Sequence, residues 1–137
     1  MKIAKAIPLF GVVLVGYMVL MSFFFYSDPN VDPMKHILFT VILPSRRTWS
    51  PDLGDAVIVA GLLILFIELI KSTSSSSSAI AEHILSTFVF IFYIIAFLLA
   101  PMVANSTFLI LGIMSMIDVI AGFTISISGA KRDISLG

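Results

Sequence analysis

Two carboxylates within apolar segments are the residues of this chain best placed to do chemistry. Asp118 lies in "GIMSMIDVIAGF" and Glu68 in "LILFIELIK". A charged side chain at the centre of a membrane-spanning helix costs about 2.5–3.5 kcal/mol on insertion scales, so acids at such positions are rare and mark ion pathways or bonds between helices. The two carboxylates therefore either hold neighbouring helices together or bind a proton or cation.

Three other polar residues are possible ion-pair partners for these acids. Lys71 follows Glu68 by three positions and can reach back to it along a helix, while Glu82 and His83 open the third apolar segment. We expect Asp118 to accept hydrogen bonds from a neighbouring helix or to pair with His83 or Lys71. Together these groups would form one polar cluster near the cytoplasmic face.

Small residues recur on the faces that carry the acids. At about 100° per residue, positions three and four apart share one helical face, and small residues there let helices approach closely in lipid. Glu68 shares a face with a glycine one heptad earlier, and Asp118 has small residues on both sides. The packing positions predicted in this way are Gly61, Gly112, Ser115 and Gly122, with Ser126 continuing the stripe.

Four apolar segments must position these side chains. They cover about residues 7–26, 53–71, 84–104 and 106–128, and a spanning helix needs roughly 20 residues. The chain is 59% hydrophobic and 12% charged, against about 45–50% and about 25% for soluble domains. The sequence predicts an all-α membrane protein, with residues 1–137 forming one four-transmembrane-helix bundle.

The connecting segments differ in character. Residues 27–52 form the sizeable exposed loop, in which "HILFTVIL", "PSRR" and "TWS" predict a short extracytoplasmic hairpin, with an interfacial helix as the alternative. Ser50 and Pro51 then resemble an N-cap and a first helical residue. Residues 72–78 are a serine-rich flexible linker. Asn105 begins a glycosylation sequon, which we interpret as a helix cap.

Positive charges predict the orientation. With both termini inside, the cytoplasmic side carries five Lys or Arg residues and the outside three. The five are Lys2, Lys5, Lys71, Lys131 and Arg132, and the three are Lys35, Arg46 and Arg47. The first apolar segment is interpreted as a retained span rather than a signal peptide, because a bulky aromatic run replaces the small residues of a cleavage site.

Several classes of function find no support in the sequence. The formal net charge is zero, whereas nucleic-acid binding requires a basic patch. Cysteine is absent, His36 has no second ligand at metal-binding spacing, and no hydrolase, nucleotide-binding or zinc-protease motif occurs. We therefore predict no enzyme activity, catalytic residue, cofactor or metal. The aromatic residues of the third segment are expected to face lipid; they are Phe88, Phe90, Phe92, Tyr93 and Phe97.

Three stretches carry a resemblance to known sequences: "ILFTVILPS" with "TWSP", "LFIELIKST" and "MSMIDVIAGFT". In them the chain resembles a family of small four-span bacterial inner-membrane proteins without an assigned activity. The resemblance implies a location in the bacterial inner membrane and adds no activity.

Two functions compete on these grounds. The first is a non-catalytic accessory or structural subunit, embedded in the lipid bilayer and bound to a larger membrane protein or to copies of itself. The alternative is a small oligomeric transporter or channel, coupled to protons or cations through Asp118 and Glu68. A sensor that uses the outer loop ranks third.

Overall fold

Four long helices make up most of the chain in a computed structural model that describes residues 7–73 and 79–136. They are α1 (Leu9–Ser27), α2 (Leu53–Ser72), α3 (Ala79–Leu99) and α4 (Ser106–Leu136). All four are long and apolar enough to cross a membrane, which confirms the all-helical class and gives, among the described residues, the four long apolar helices that the sequence predicts. The predicted inside charges Lys2 and Lys5, and residues 74–78 of the serine-rich linker, lie outside the described residues.

The third helix is shifted towards the N-terminus relative to its predicted range of 84–104. It begins at Ala79 and ends at Leu99, followed by a 3-10 turn over Pro101–Val103. Pro101 explains the early end, because the residue before a proline is disfavoured in the helical region. The shift brings Glu82 and His83 into the helix itself. The fourth helix continues past the predicted residue 128 to Leu136.

Helix α4 occupies the centre of the packing. It lies against both α2 and α3 along their lengths, whereas α1 contacts chiefly α3 and the turn at Pro101–Val103. The buried apolar core is drawn mainly from α1, α3 and α4, with Met34 and Val103 added from two 3-10 turns. Its helical members include Phe10, Leu14, Tyr17, Tyr93, Phe108 and Leu111. Leu, Ile, Val and Phe side chains cover the outer faces of all four helices, as lipid-facing helices require.

A small hairpin closes the end of the bundle where α1 ends and α2 begins, here called the hairpin end. Strands β1 (Val41–Ile42) and β2 (Thr48–Trp49) pair antiparallel, with Val41 opposite Trp49. The turn between them places Arg46 at φ 63°, in the left-handed region. A 3-10 turn over Pro33–Lys35 precedes the hairpin, so residues 28–52 contain no α-helix.

The start of α2 differs from the expected cap at Ser50 and Pro51. Asp52 is the N-cap: its side chain accepts a hydrogen bond from the Asp55 amide at 2.9 Å, and Asp55 accepts one from the Asp52 amide at 3.0 Å. This reciprocal capping box satisfies two amides that a helix start leaves open. Pro51 stays outside the helix, where its carbonyl accepts a hydrogen bond from Leu38. Asn105 does cap α4, because its Oδ1 accepts a hydrogen bond from the Phe108 amide at 2.9 Å.

Candidate functional site

Polar side chains from three helices meet at the end of the bundle opposite the hairpin, here called the termini end. We define the polar cluster as Glu68, Lys71 and Ser72 of α2, His83 of α3, and Ser115, Asp118, Gly122 and Ser126 of α4. The acids and the histidine are buried in it: Glu68 is 5% exposed, His83 7% and Asp118 4%. Burial of this kind is costly unless each group finds a partner.

Glu68 has its partners within α2 and at the start of α1. Its Oε1 lies 3.0 Å from Lys71 Nζ, in an ion pair whose lysine side chain is 30% exposed. The same oxygen accepts a hydrogen bond from the Leu9 backbone amide at 3.4 Å. Leu9 is the first residue of α1, and a helix N-terminus carries unpaired amides and partial positive charge. Glu68 therefore ties the start of α1 to the end of α2.

His83 faces α4 rather than the two acids. Its Nε2 lies 2.6 Å from Ser126 Oγ, and its ring packs against Phe123 with the ring centres 4.7 Å apart. Gly122 makes room for this arrangement, because a Cβ at that position would lie 3.0 Å from His83 Cε1 and 3.2 Å from Ser72 Oγ. The glycine thus marks the point where α2, α3 and α4 converge.

Asp118 stands apart from these bonds. Its Oδ2 and the Ser115 Oγ one turn away are enclosed by protein, and neither has a hydrogen-bond partner among the described residues. Asp118 interacts electrostatically with Glu68, Lys71 and Glu82. Within the described part of the chain, the structure places no hydrogen bond between Asp118 and either expected partner, because Lys71 extends to Glu68 and His83 to Ser126.

The remaining predicted packing positions lie between helices. A Cβ on Gly61 of α2 would meet Leu111 and Met114 of α4, each with an atom at 2.8 Å. Gly112 faces Tyr93 of α3, with the nearest atom at 3.5 Å. Ser115 is buried on the same face of α4. The small-residue stripe is thus turned towards the protein on both sides of α4.

Two tyrosines form polar contacts that the sequence analysis missed. Tyr93 is 1% exposed and its hydroxyl donates to the Phe10 carbonyl at 2.9 Å, so the expectation that it faces lipid is wrong, although Phe88 and Phe92 are exposed. Tyr17 donates to Asn105 Oδ1 at 2.7 Å. Both rings pack against the Phe108 ring, with the ring centres 5.3 Å apart for Tyr17 and 5.1 Å apart for Tyr93. The one available signal was their polar tip, which seeks a partner when buried.

A second polar region lies at the hairpin end, in a cavity of about 460 Å³. It is lined by Asp32, Lys35, Asp52, Asp55 and Asn105, among others. Each of the three acids already accepts a hydrogen bond from a backbone amide two or three residues away in the sequence. Residues 7–73 and 79–136 contain no group of three or more His, Asp or Glu side chains arranged to hold a metal ion. The polar cluster is suited to binding charge and to holding helices together.

Comparison with known protein families, with curated proteins and with solved structures found no match.

Proposed function

We propose that this protein is a non-catalytic, multi-pass membrane protein of the bacterial inner membrane that serves as an accessory or structural subunit of a larger membrane assembly. Both termini would lie in the cytoplasm, as the excess of Lys and Arg there favours. The four apolar helices support insertion in the bilayer. The main support for the subunit role is a small residue, Gly16, among exposed valines on the outward face of α1.

Gly16 lies in the middle of α1 with nothing within 4 Å of the place where its Cβ would be. By contrast, Gly11, Gly61 and Gly122 each face another helix at close range. A glycine inside a helix costs roughly 0.5–1 kcal/mol relative to alanine, and in return it lets another backbone approach closely. On Gly16 the approaching helix would belong to another chain.

The side chains around Gly16 suit such a contact. Val12, Val15 and Val19 are 60%, 63% and 66% exposed and share its face. In lipid, where no hydrophobic force drives helices together, a small residue among β-branched ones permits close packing between backbones. This face of α1 is therefore the proposed docking surface for a partner helix.

The test is co-purification of the tagged protein from its native membrane in mild detergent, with mass spectrometry of what is bound. We expect a larger membrane protein at constant stoichiometry. Gly16→Leu should release that partner, because the leucine side chain fills the approach to α1.

Ala60→Leu is the matched control, since Ala60 is a small, exposed residue in the middle of α2. It should keep the partner. Equal retention by both variants would remove α1 as the docking surface, and a homo-oligomer without any larger protein would contradict the accessory role.

A second candidate function, a small oligomeric transporter or channel coupled to protons or cations, is favoured by Asp118 and Glu68. Both are buried acids within helices that suit a membrane span, and acids at depth mark ion pathways. Protein reconstituted in liposomes should then carry a flux that depends on pH or on a cation gradient. Asp118→Asn should abolish this flux; an unchanged flux in the variant would rule out this use of the acid.

A further inference from the structure

We infer that Asp118 is a proton-binding site, holding a neutral carboxylic acid group inside the folded bundle. The inference goes beyond a subunit role, because it concerns a ligand that the bundle binds with or without a partner protein. It rests on how the two acids of the polar cluster are surrounded.

The surroundings of Glu68 suit a negative charge. Its Oε1 receives the Lys71 ammonium at 3.0 Å and the Leu9 amide at the start of α1. Hydrogen bonds to an ionised group are about twice as strong as those between neutral groups. The Lys71 side chain itself is partly exposed. Lys71 is ion-paired with Glu68, and within the described residues it forms no hydrogen bond with Asp118.

The surroundings of Asp118 suit no charge. The acid is 4% exposed, and its enclosed Oδ2 receives no hydrogen bond from the described residues. An isolated carboxylate in such a place would carry a large desolvation cost, which a group in a protein avoids by becoming neutral. Ser115, one turn away, is equally enclosed, and its hydroxyl forms no hydrogen bond with Asp118.

The charged and titratable groups that face Asp118 also favour a neutral acid at this position. From α2 it is influenced by Glu68 and Lys71, and from α3 by Glu82, while His83 packs one turn further along α4. Two acids thus oppose one lysine, and that lysine is bound to Glu68. An ionised Asp118 would add to this excess of negative charge, and a proton bound to the acid removes that added charge.

A proton fits this site better than a metal ion. Hard cations need several oxygen ligands around them, and Ca²⁺, for example, takes six to eight. The described residues contain no cluster of three or more His, Asp or Glu side chains that could hold a metal, and the two unpartnered oxygens of Asp118 and Ser115 are already enclosed. A proton bonds directly to Oδ2 and requires no extra volume.

Infrared spectroscopy of the purified wild-type protein in lipid tests the inference. At neutral pH we expect a carbonyl-stretching band of a protonated carboxylic acid, separate from the carboxylate bands. Labelling the aspartate side-chain carboxyl carbons with ¹³C should shift the band. Asp28, Asp32, Asp52 and Asp55 lie at the hairpin end, and none of them is buried as Asp118 is. The remaining aspartate, Asp133, is distinguished from Asp118 by the Asp118→Asn variant.

Two variants complete the design. Asp118→Asn should remove the band, and Asp55→Asn, at the hairpin end, should leave it unchanged. Because the labelling result comes from wild-type protein, it stands even if Asp118→Asn fails to fold.

A spectrum without the band would overturn the inference, since every acid would then be ionised. A band that ignores the aspartate label would also overturn it, by placing the proton on a glutamate. Neither outcome bears on the docking of a partner at Gly16, which the co-purification tests separately.

Discussion

Tyr93 joins α3 to α1 through its hydroxyl group, which donates to the Phe10 carbonyl inside the core. The ring fills the space between α1 and α4 and packs against Phe108. In lipid such a bond between helices is worth little individually, about 0.6 kcal/mol on average. The bond fixes the position of α1 along its own axis relative to α3. Helix α1 has the fewest contacts with the rest of the bundle.

We therefore expect Tyr93→Phe to lower the free energy of unfolding by about 0.6 kcal/mol. The ring and its packing remain, so the change isolates the hydrogen bond. Thermal unfolding followed by circular dichroism in detergent measures it. Tyr26→Phe is the control, because Tyr26 is 79% exposed and should show no effect; an equal loss in both variants would contradict the role of the buried bond.

The burial of Tyr93 could not be predicted from the sequence. In α3 nearly every position is apolar, so hydrophobic periodicity does not say which face is inside. Asp118 is the contrasting case, since its charge within an apolar segment identified it at once. Its missing hydrogen bond was not predictable, because that depends on where the side chains of Lys71 and His83 extend from other turns and helices.

At the scale of elements, glycines determine how closely the helices of this bundle approach. Gly122 leaves the space that His83 of α3 and Ser72 of α2 occupy, and Gly112 faces Tyr93 at ordinary contact distance. The stripe itself was predictable from spacing alone. The difference between its members was not, because it depends on which side chain of the neighbouring helix lies opposite.

That difference gives a prediction of opposite sign for two identical substitutions. Gly122→Ala should destabilise the protein by about 1 kcal/mol, because the new methyl group presses on a His83 ring already held by Ser126, and overpacking costs about 1–3 kcal/mol. Gly112→Ala should stabilise it by about 0.5 kcal/mol, since alanine favours the helix and its methyl group fits.

Thermal unfolding of the two variants beside the wild type measures both effects. The same sign for both would show that helix preference, rather than the contact with His83, governs these positions.

At the scale of the whole molecule, the two ends of the bundle differ in chemistry. The hairpin end carries the capped start of α2 and Arg46 in the hairpin turn. The termini end carries the polar cluster, and the exposed Lys131 lies near the end of α4. Helix number and helical class followed from composition and segment length. The centrality of α4 did not, because all four segments are similarly apolar.

The proposed orientation can be tested with single cysteines, since the native chain has none. In intact cells Ser45→Cys, at the hairpin end, should react with a maleimide that cannot cross the inner membrane. Lys131→Cys should react only after the membrane is opened. Mass spectrometry of the labelled protein gives the readout, and the reverse pattern would place the termini outside.

The central position of α4 also bears on how the protein is made. Helices α2 and α3 have few direct contacts with each other and pack mainly on α4, which follows them in the chain. During synthesis both therefore leave the ribosome before the helix that covers their polar faces. Glu68 can pair with Lys71 within its own helix at this stage, whereas His83 can contact Ser126 only after α4 has been made. A nascent chain stalled before α4 would leave His83 without the serine partner that it has in the folded bundle.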